Sequence, residues 1–298
     1  MVLGRVGLTG ATGMLGGHIY AALQSAGIET LPTSRTTRKC FAKWDLCKWL
    51  THDEFDAIFT GVDAIVHAGA SVNFSGDVSD ACLFDANVRA CLNLGQWALA
   101  RNIPIIYISG AIVYEDSHAL LQRESADTGW KGLGGFYGFS KLLAEDVMLR
   151  LRQQGLRIAI LRPTSIYGKN LNNKKLVQRF LELAVSDKTI ELFAPTEDQV
   201  DLIHAADVAR AVILVLKHNK WDTFNLSSAN PISIKELAQA CIDVAGKGQI
   251  SIVGQTKANY RPTVMYSLDS EYAAESLQWR PLVGIHLGLN MMLDDRFL

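Results

Sequence analysis

Residues 3–16, LGRVGLTGATGMLG, predict a β-strand that runs directly into a glycine-rich turn and then into a helix. The strand covers Val2–Leu8, and glycines follow it at a GxxGxxG spacing. Glycine lets a pyrophosphate approach a tight turn, and the helix N-terminus offers that anion free N–H groups and partial positive charge. The alternative is a turn that only packs strand against helix. On the first interpretation, the dinucleotide contacts are Gly10, Thr12, Gly13, Met14, Leu15 and Gly16.

Short apolar runs alternate with amphipathic stretches after this turn, which is typical of a parallel sheet covered on both faces. Gly17 and His18 follow Gly16 in place of Lys and Ser/Thr, so a P-loop is excluded. The predicted fold is α/β, a doubly wound Rossmann-type parallel sheet. Its strands are Thr30–Ser34, Ala64–Ala68, Ile103–Ser109 and Arg157–Leu161, and its helices are Gly16–Ala26, Ala86–Arg101 and Tyr137–Arg152.

The pattern loosens after Arg162, where a smaller C-terminal substrate lobe is predicted. The Rossmann domain is assigned to residues 1–168, with segments that return to it near residues 201–226. The lobe is assigned to residues 169–200 and 227–298. Predicted elements in this part are helices at Leu176–Val185, Ala206–Leu216 and Ile234–Ala245, and a strand at Thr223–Leu226.

The amino-acid composition excludes several classes of binding partner. The 298 residues are 49% hydrophobic, with 29 Lys+Arg against 30 Asp+Glu, so no basic excess favours nucleic-acid binding. The glycine-rich stretch Val6–Ile28 is too polar for a membrane-spanning helix. Five scattered cysteines suit reduced thiols in a cytosol, and no His or Cys spacing predicts a metal site. We therefore expect a cytoplasmic protein that binds small molecules, without nucleic acid or membrane as a partner.

The end of the second predicted strand bears on which dinucleotide is bound. In NAD sites a carboxylate there bonds the ribose hydroxyls, but this chain has Pro32–Arg35, with Arg38 close behind. Both guanidiniums offer forked donors to a 2′-phosphate, which favours NADP(H), with NAD(H) as the alternative. Two solvated surface arginines are the other interpretation. In the next turn, Asp45 and Leu46 contact the adenine, or Asp45 caps a helix.

A YxxxK motif, Tyr137 to Lys141, lies in a predicted helix, where residues i and i+4 share a face. A free phenol has a pKa near ~10, and a nearby ammonium stabilises the phenolate and lowers that value. The spacing predicts Tyr137 as a proton donor and acceptor and Lys141 as the group that tunes it. A surface helix carries the same spacing by chance, but the glycine-rich turn upstream favours the functional interpretation.

Further segments occur in a recognisable order: IVHAGA at Ile65–Ala70, Asn87 at the head of a helix, LRPTSIYG at Leu161–Gly168, DLIHAADVA at Asp201–Ala209, and Arg261-Pro262. With the turn and the YxxxK motif, they make the chain resemble an extended short-chain dehydrogenase/reductase of the NAD(P)-dependent nucleotide-sugar epimerase/dehydratase kind. The resemblance spans nearly the whole length.

The resemblance implies further roles. Lys141 would also hold the nicotinamide ribose, Arg261 would hold a substrate diphosphate, and the protein would be a homodimer. The segments that pass the cofactor add Ala68, Gly69, Ala70, Asn87, Pro163, Thr164 and Ile166 to its expected contacts.

One position departs from the family pattern. Members usually carry Ser or Thr four residues before a tyrosine of a V-Y-G segment, and the residue four before Tyr114 is Gly110. Either a water or another side chain supplies that hydrogen bond, or Tyr137 alone protonates the substrate oxygen, or the hydride chemistry is lost. Ser109 is adjacent, but alternation along a strand turns its side chain to the opposite side.

The candidate substrate residues are Ser71, Asn73, Ser109, Gly110 and Arg261, and Ser165 is another possible source of the missing hydroxyl. The Asp-Glu pair of family dehydratases is replaced by Ala111 and Ile112, which argues against dehydration.

The expected activity is therefore an NADP(H)-dependent oxidoreductase or epimerase that moves hydride at a carbinol or ketone carbon, first of a nucleotide-linked sugar. A reductase of a small ketone or acyl derivative is the alternative substrate class. A non-catalytic NADP-binding sensor is the alternative from a different class, and Gly110 is the feature that favours it.

Overall fold

The computed structural model describes residues 4–72, 78–115, 121–129, 134–193, 195–253 and 267–294. Within those residues the chain forms a seven-stranded parallel sheet with helices on both faces, so the predicted Rossmann-type α/β fold is confirmed. No helix in the described part is long and apolar enough to cross a membrane.

The strands in chain order are β1 (Arg5–Thr9), β2 (Glu29–Ser34), β3 (Ala42–Lys43), β4 (Ala64–His67), β5 (Ile105–Ile108), β6 (Ile158–Pro163), β7 (Ser165–Tyr167), β8 (Thr189–Phe193), β9 (Gln199–Val200), β10 (Leu202–His204), β11 (Thr223–Leu226), β12 (Ile232–Ser233) and β13 (Gln249–Val253).

The α-helices are α1 (Met14–Ser25), α2 (His52–Ile58), α3 (Asp80–Phe84), α4 (Ala90–Arg101), α5 (Gly135–Gln153), α6 (Leu176–Val185), α7 (Ala205–His218), α8 (Ile234–Ala245), α9 (Glu271–Leu277) and α10 (Ile285–Leu293). A π-helical turn, Asp85–Arg89, joins α3 to α4, and a 3₁₀ turn covers Ala111–Val113.

The main sheet has the strand order β11-β6-β5-β4-β1-β2-β3. Chain order reverses between β1 and β4, which pair with Thr9 opposite His67. A parallel sheet opens a crevice at such a reversal, outside the carboxyl ends of its strands, and ligands bind there. The fold therefore directs attention to the residues that follow β1 and β4.

Alternation along the strands divides the core between the two faces of the sheet. Val6 and Ile106 pack on one face, with α1, α7 and α9. Ile65 and Ile105 pack on the other face, with α2, α4 and α5. Both faces are covered, so these short strands direct apolar side chains to both sides of the sheet, as the sequence pattern indicated.

A separate apolar cluster unites α6, α8 and β8 with Tyr167 and Leu289. The parallel pair β8–β13 and the antiparallel pair β9–β12 lie in this part of the chain. Residues 273–279, within the segment that the sequence analysis assigned to the lobe, instead contribute Ala273, Leu277 and Trp279 to the core of the main sheet.

Several elements were not predicted. Helix α2 begins with a capping box in which Thr51 and Glu54 exchange hydrogen bonds, a T-x-x-E signal that the sequence does contain. Strands β3, β7, β9, β10 and β12 are two or three residues long, too short to show periodicity. Their positions are fixed by pairing with distant strands.

Asp207 ties the C-terminal segment to the sheet. Its carboxylate is 1% exposed and accepts the backbone N–H groups of Leu282 and Val283, both at 2.9 Å, and Arg210 at 3.0 Å. The indole N–H of Trp279 donates to the Asp207 carbonyl at 2.9 Å. One residue of α7 thus anchors the chain that leads into α10.

We expect Asp207→Ala to lower the free energy of unfolding by about 1–3 kcal/mol, because two partly buried N–H groups lose their acceptor. Asp243→Ala, which removes a carboxylate with 51% exposure, is the control and should change stability by less than about 0.5 kcal/mol. Denaturant titration measures both, and equal effects of the two variants would contradict the anchoring role.

Candidate active site

Backbone contacts shape the turn after β1. Gly10 has φ +71°, and a Cβ on it would lie 2.6 Å from the backbone N of Gly69. A Cβ on Gly16 would lie 1.9 Å from the Gly10 carbonyl oxygen. Side chains are therefore excluded at both positions by the protein's own backbone, which is the packing role given as the alternative for this turn.

Helix α1 starts immediately at this turn. Its N-cap is Gly13, whose N–H donates to the Gly10 carbonyl at 2.9 Å, and no acidic residue stands in the first turn. Thr12 and Gly13 are exposed, and Met14 and Leu15 are half-buried. A glycine N-cap leaves the first N–H groups of the helix without a side-chain acceptor, which suits an anion.

A threonine–histidine contact holds the β1 and β4 turns together. Thr9 Oγ1 accepts the N–H of Gly69 at 3.0 Å and lies 2.7 Å from His67 Nδ1. Burial lowers the pKa of His67 to about 3, so the ring is neutral at physiological pH. His67 is a packed core histidine, and sequence analysis did not identify Thr9 as its partner.

Asn87 lies in the π-helical turn and joins the loop after β4 to α5. Its Oδ1 accepts the Ser71 N–H at 2.7 Å, and its Nδ2 donates to the Ser71 carbonyl at 3.0 Å and to Ser140 Oγ at 2.9 Å. Ser140 Oγ in turn donates to the Tyr137 carbonyl at 2.8 Å. Asn87, expected as a cofactor contact, thus bonds to the protein and orients Ala70–Ser71 against α5. Ala68 is half-buried and Ala70 is exposed. π-Turns of this kind are frequent at functional sites.

The residues at the end of β2 face solvent. Arg35 and Arg38 are exposed, and the Arg38 guanidinium lies 5.4 Å from the centre of the Phe41 ring. Asp45 Oδ1 accepts the Cys47 N–H at 3.1 Å, so its side chain caps a turn and not a helix, as the alternative had it. Leu46 packs against Gly69, where a Cβ would lie 3.1 Å from its Cδ1.

Tyr137 and Lys141 both lie on α5, as predicted. Lys141 is 4% exposed, its Nζ donates to the Ile108 carbonyl at 2.6 Å, and it lies 4.4 Å from the centre of the Tyr107 ring. The ammonium is therefore directed at the carboxyl end of β5.

The pKa values differ from the expectation of a lowered phenol. Burial raises the pKa of Tyr137 to about 12 and lowers the pKa of Lys141 to about 8. Removal from water disfavours the charged forms of both groups and is the main cause of both shifts. Lys141 does not lower the pKa of Tyr137 in this structure, because its ammonium is directed at the Ile108 carbonyl.

The backbone at Gly110 is extended, with φ 175°. A Cβ there would have Ile112 Cγ2 at 3.8 Å and the Pro163 carbonyl at 3.9 Å as its nearest atoms, so a side chain fits. Ser109 Oγ donates to Glu145 Oε2 at 2.5 Å, which places that hydroxyl in a buried protein contact. The structure therefore has room at position 110 for the Ser or Thr side chain that family members usually carry, but glycine supplies no hydroxyl there.

The strand end after β6 is fixed by a buried carboxylate that sequence analysis missed. Asp201 accepts Thr164 Oγ1 at 3.1 Å, Ser227 Oγ at 2.5 Å and Ser267 Oγ at 2.9 Å. Pro163 is buried, Ser165 is exposed and Ile166 packs at the edge of the main core. In the sequence, the position of Asp201 directly before the apolar run Leu-Ile-His was the signal that could have identified this carboxylate.

Asn73 and Arg261 lie outside the described residues. A cavity of about 660 Å³ lies in the C-terminal lobe between α8 and the segment before α10. None of the candidate site residues that the structure describes lines this cavity.

Comparison with known proteins agrees with this geometry. A model of the NAD dependent epimerase/dehydratase family matches residues 6–227. A dTDP-4-dehydro-6-deoxy-D-allose reductase from Streptomyces sp is 25% identical over 264 residues, which cover 80% of this chain and 81% of that protein.

Solved structures share the fold. UDP-N-acetylglucosamine 4-epimerase from Bacillus cereus has a TM-score of 0.85 at 24% identity and covers 99% of this chain and 97% of its own. UDP-glucuronic acid 4-epimerase from Bacillus cereus, in complex with UDP-glucuronic acid and NAD, has a TM-score of 0.81 at 18% identity, with 97% of each chain covered.

Two neighbouring glycines test the turn. Gly16→Ala should lower the free energy of unfolding by about 1–3 kcal/mol, because its Cβ collides with backbone. Gly17→Ala is the matched control, because no atom lies within 4 Å of its Cβ position. Alanine inside a helix should raise the free energy of unfolding by about 0.5–1 kcal/mol. Denaturant titration distinguishes the two, and a stable Gly16→Ala would refute the close approach.

Proposed function

The chain belongs to the NAD dependent epimerase/dehydratase family of short-chain dehydrogenase/reductase enzymes, and on that premise we propose that it transfers hydride between a nicotinamide dinucleotide and a carbinol or ketone carbon of a nucleotide-linked sugar. The observation that carries the proposal is the half-buried phenol of Tyr137 one helical turn from the buried ammonium of Lys141. The ammonium bonds to the carbonyl at the end of β5, the strand next to β4 in the sheet.

The residues present fit a dinucleotide. Gly10 and Gly16 pack closely against the protein's own backbone and so bring the turn onto the N-terminus of α1, whose first N–H groups have no side-chain cap and would stabilise a pyrophosphate. Such a cofactor, when bound, supplies or accepts the hydride. The loop Ala68–Ala70 and the strand end Pro163–Thr164 flank it in this proposal, and Lys141 binds the nicotinamide ribose.

Tyr137 moves the proton. In ketone reduction its hydroxyl donates a proton to the carbonyl oxygen as hydride reaches the carbon, and in alcohol oxidation the phenolate takes the proton back. Since burial raises the pKa of Tyr137 to about 12, the phenol is protonated at neutral pH and is ready to act as the proton donor in the reduction step.

We favour NADP(H) over NAD(H), because no carboxylate follows β2 and the exposed guanidiniums of Arg35 and Arg38 are available for a 2′-phosphate. NAD(H) remains the alternative, and the Bacillus cereus UDP-glucuronic acid 4-epimerase structure contains NAD.

The wall formed by Gly110, Ala111 and Ile112 argues for reduction or epimerisation. Ala111 and Ile112 carry no acidic or basic group that could remove a carbon-bound proton, which disfavours dehydration. With glycine at position 110, Tyr137 is the protein's proton donor to the substrate oxygen in this proposal. Reduction of a small ketone or acyl derivative is the alternative substrate class.

The second lobe, which the sequence analysis assigned to residues 169–200 and 227–298, supplies the sugar-nucleotide site in this proposal. We also infer a homodimer, as the family resemblance implies, and a cytoplasmic location, because the described part of the chain contains five free cysteines.

A second candidate function is a non-catalytic NADP-binding sensor, and the open space at Gly110 favours it. An oxyanion that loses one hydrogen-bond donor typically loses ~2.7–4 kcal/mol of transition-state stabilisation. That loss is large enough to make a slow enzyme difficult to distinguish from a binding protein without kinetics.

Tyr137→Phe tests the proposed reaction. With a dTDP- or UDP-linked 4-ketosugar and NADPH, we expect kcat to fall about 10²–10⁴-fold, because the proton donor is lost. The dissociation constant for NADPH should stay the same. Tyr272→Phe, which removes an exposed hydroxyl bonded to Asp222, is the control and should leave kcat unchanged. Turnover that persists in Tyr137→Phe contradicts the assigned role, and NADPH binding without turnover by the unaltered protein favours the sensor.

Arg35→Ala tests the choice of cofactor. We expect affinity for NADPH to fall about 10-fold or more, because a charge-assisted bond is worth about 1.5–3 kcal/mol, and affinity for NADH to stay constant. Arg150→Ala removes an exposed guanidinium near the end of α5 and serves as the control. Fluorescence titration measures each dissociation constant. Equal NADPH affinity in Arg35→Ala and the unaltered protein would remove the NADP assignment.

A further inference from the structure

A buried ion pair lies beneath the helix that carries Tyr137 and Lys141. Glu145 is 1% exposed and Arg162 is 5% exposed. Arg162 Nε donates to Glu145 Oε1 at 2.9 Å, and a terminal guanidinium nitrogen contacts the same oxygen. Glu145 is one helical turn after Lys141, so Tyr137, Lys141 and Glu145 occupy one face of α5.

The other carboxylate oxygen fastens α5 to the end of β5. Ser109 Oγ donates to Glu145 Oε2 at 2.5 Å, and Lys141 Nζ donates to the carbonyl of the preceding residue, Ile108, at 2.6 Å. Two successive residues at the strand end thus bond two successive turns of the helix. These two contacts fix the position of α5 relative to the end of β5, and hence the position of Tyr137.

Arg162 is itself held from two further directions. Its second terminal nitrogen donates to Tyr114 OH at 2.9 Å and to the Glu124 carbonyl at 3.0 Å. Tyr114 OH donates to Asn225 Oδ1 at 2.6 Å. The guanidinium therefore links α5 to β6, where Arg162 lies, and to β11, where Asn225 lies.

We propose that Glu145 is a positioning residue for the hydride-transfer site, one that fixes Lys141 and Tyr137 against the end of β5 and keeps the Lys141 ammonium charged. This inference rests on the function proposed above. Stability alone is a poor reason for such a pair, because apolar residues of similar volume often replace a buried ion pair without loss.

The charges around Lys141 support the second part of the proposal. The titratable groups that face it are His67 on β4, Cys91 on α4, Tyr107 on β5, and Tyr137 and Glu145 on α5. Burial raises the pKa of Cys91 to about 12 and lowers the pKa of His67 to about 3, so both are neutral at physiological pH. The phenols are protonated as well.

The Glu145 carboxylate, held by Arg162, is therefore the negative charge among these groups. It opposes the burial that lowers the pKa of Lys141 to about 8. Removing it should lower that pKa further, so that the ammonium loses its proton at a lower pH.

Glu145→Gln tests this, because glutamine keeps the shape and an oxygen acceptor but removes the charge. In ketone reduction with NADPH, we expect the alkaline limb of the kcat profile to move down by about one pH unit, and kcat at neutral pH to fall about 10-fold. The KM for NADPH should stay within about twofold, since the phosphate turn is untouched. Glu271→Gln, in an exposed ion pair with Arg280, is the control and should shift nothing.

Arg162→Met combined with Glu145→Gln serves if the single variant fails to fold, because it removes both buried charges together. Nitrogen NMR of the Lys141 side chain, assigned with Lys141→Arg, gives its pKa in both variants without requiring turnover. If the proposed function is wrong, the unaltered protein will not reduce the ketosugar. The pKa of Lys141 measured by NMR still tests the role of Glu145 in that case. A folded Glu145→Gln protein with an unchanged Lys141 pKa and pH profile overturns the proposal and leaves Glu145 a structural residue.

Discussion

The approach of the Gly10 backbone to the backbone of Gly69 is the constraint on which this structure depends. It occurs where β1 meets β4, the pair at which the strand order of the sheet reverses. A Cβ on Gly10 would fall 2.6 Å from that neighbouring backbone, and a Cβ on Gly16 would fall still closer to the Gly10 carbonyl. The turn can lie this deep only without side chains, and its depth brings the N-terminus of α1 to the crevice.

Buried polar groups do the remaining work of placing the site, and they follow one rule: each charge that leaves water meets a matched partner. Thr9 joins the β1 and β4 turns through Gly69 and His67. Asp201 gathers hydroxyls from β6 and from the chain beyond β11, and Asp207 holds the C-terminal segment. Because these hydrogen bonds join residues far apart in the chain, they specify the geometry as well as stabilise it.

The same rule gives the candidate site its electrostatic character. Lys141 is buried beside a strand carbonyl and an aromatic ring, where burial opposes its charge, and Tyr137 is a phenol whose ionisation burial also opposes. An uncharged phenol is a proton donor, and the 3₁₀ turn Ala111–Val113 carries no acidic or basic side chain. In the proposed function, these features favour reduction of a carbonyl over elimination of water.

The sequence by itself determined the alternation of strands and helices, the glycine-rich turn, the Tyr137–Lys141 pair and the family resemblance. These are local signals, since periodicity, turn chemistry and i,i+4 spacing act within a few residues. The bounds of the helices Leu176–Val185 and Ile234–Ala245 agree with the prediction, because helix periodicity is a local signal. The tertiary structure alone decided which groups Lys141 faces, that Asn87 bonds Ser71 and Ser140, and that Glu145 joins Ser109 to Arg162. Those contacts join residues far apart in the chain, and the pKa values depend on burial, which only the packed sheet and helices create.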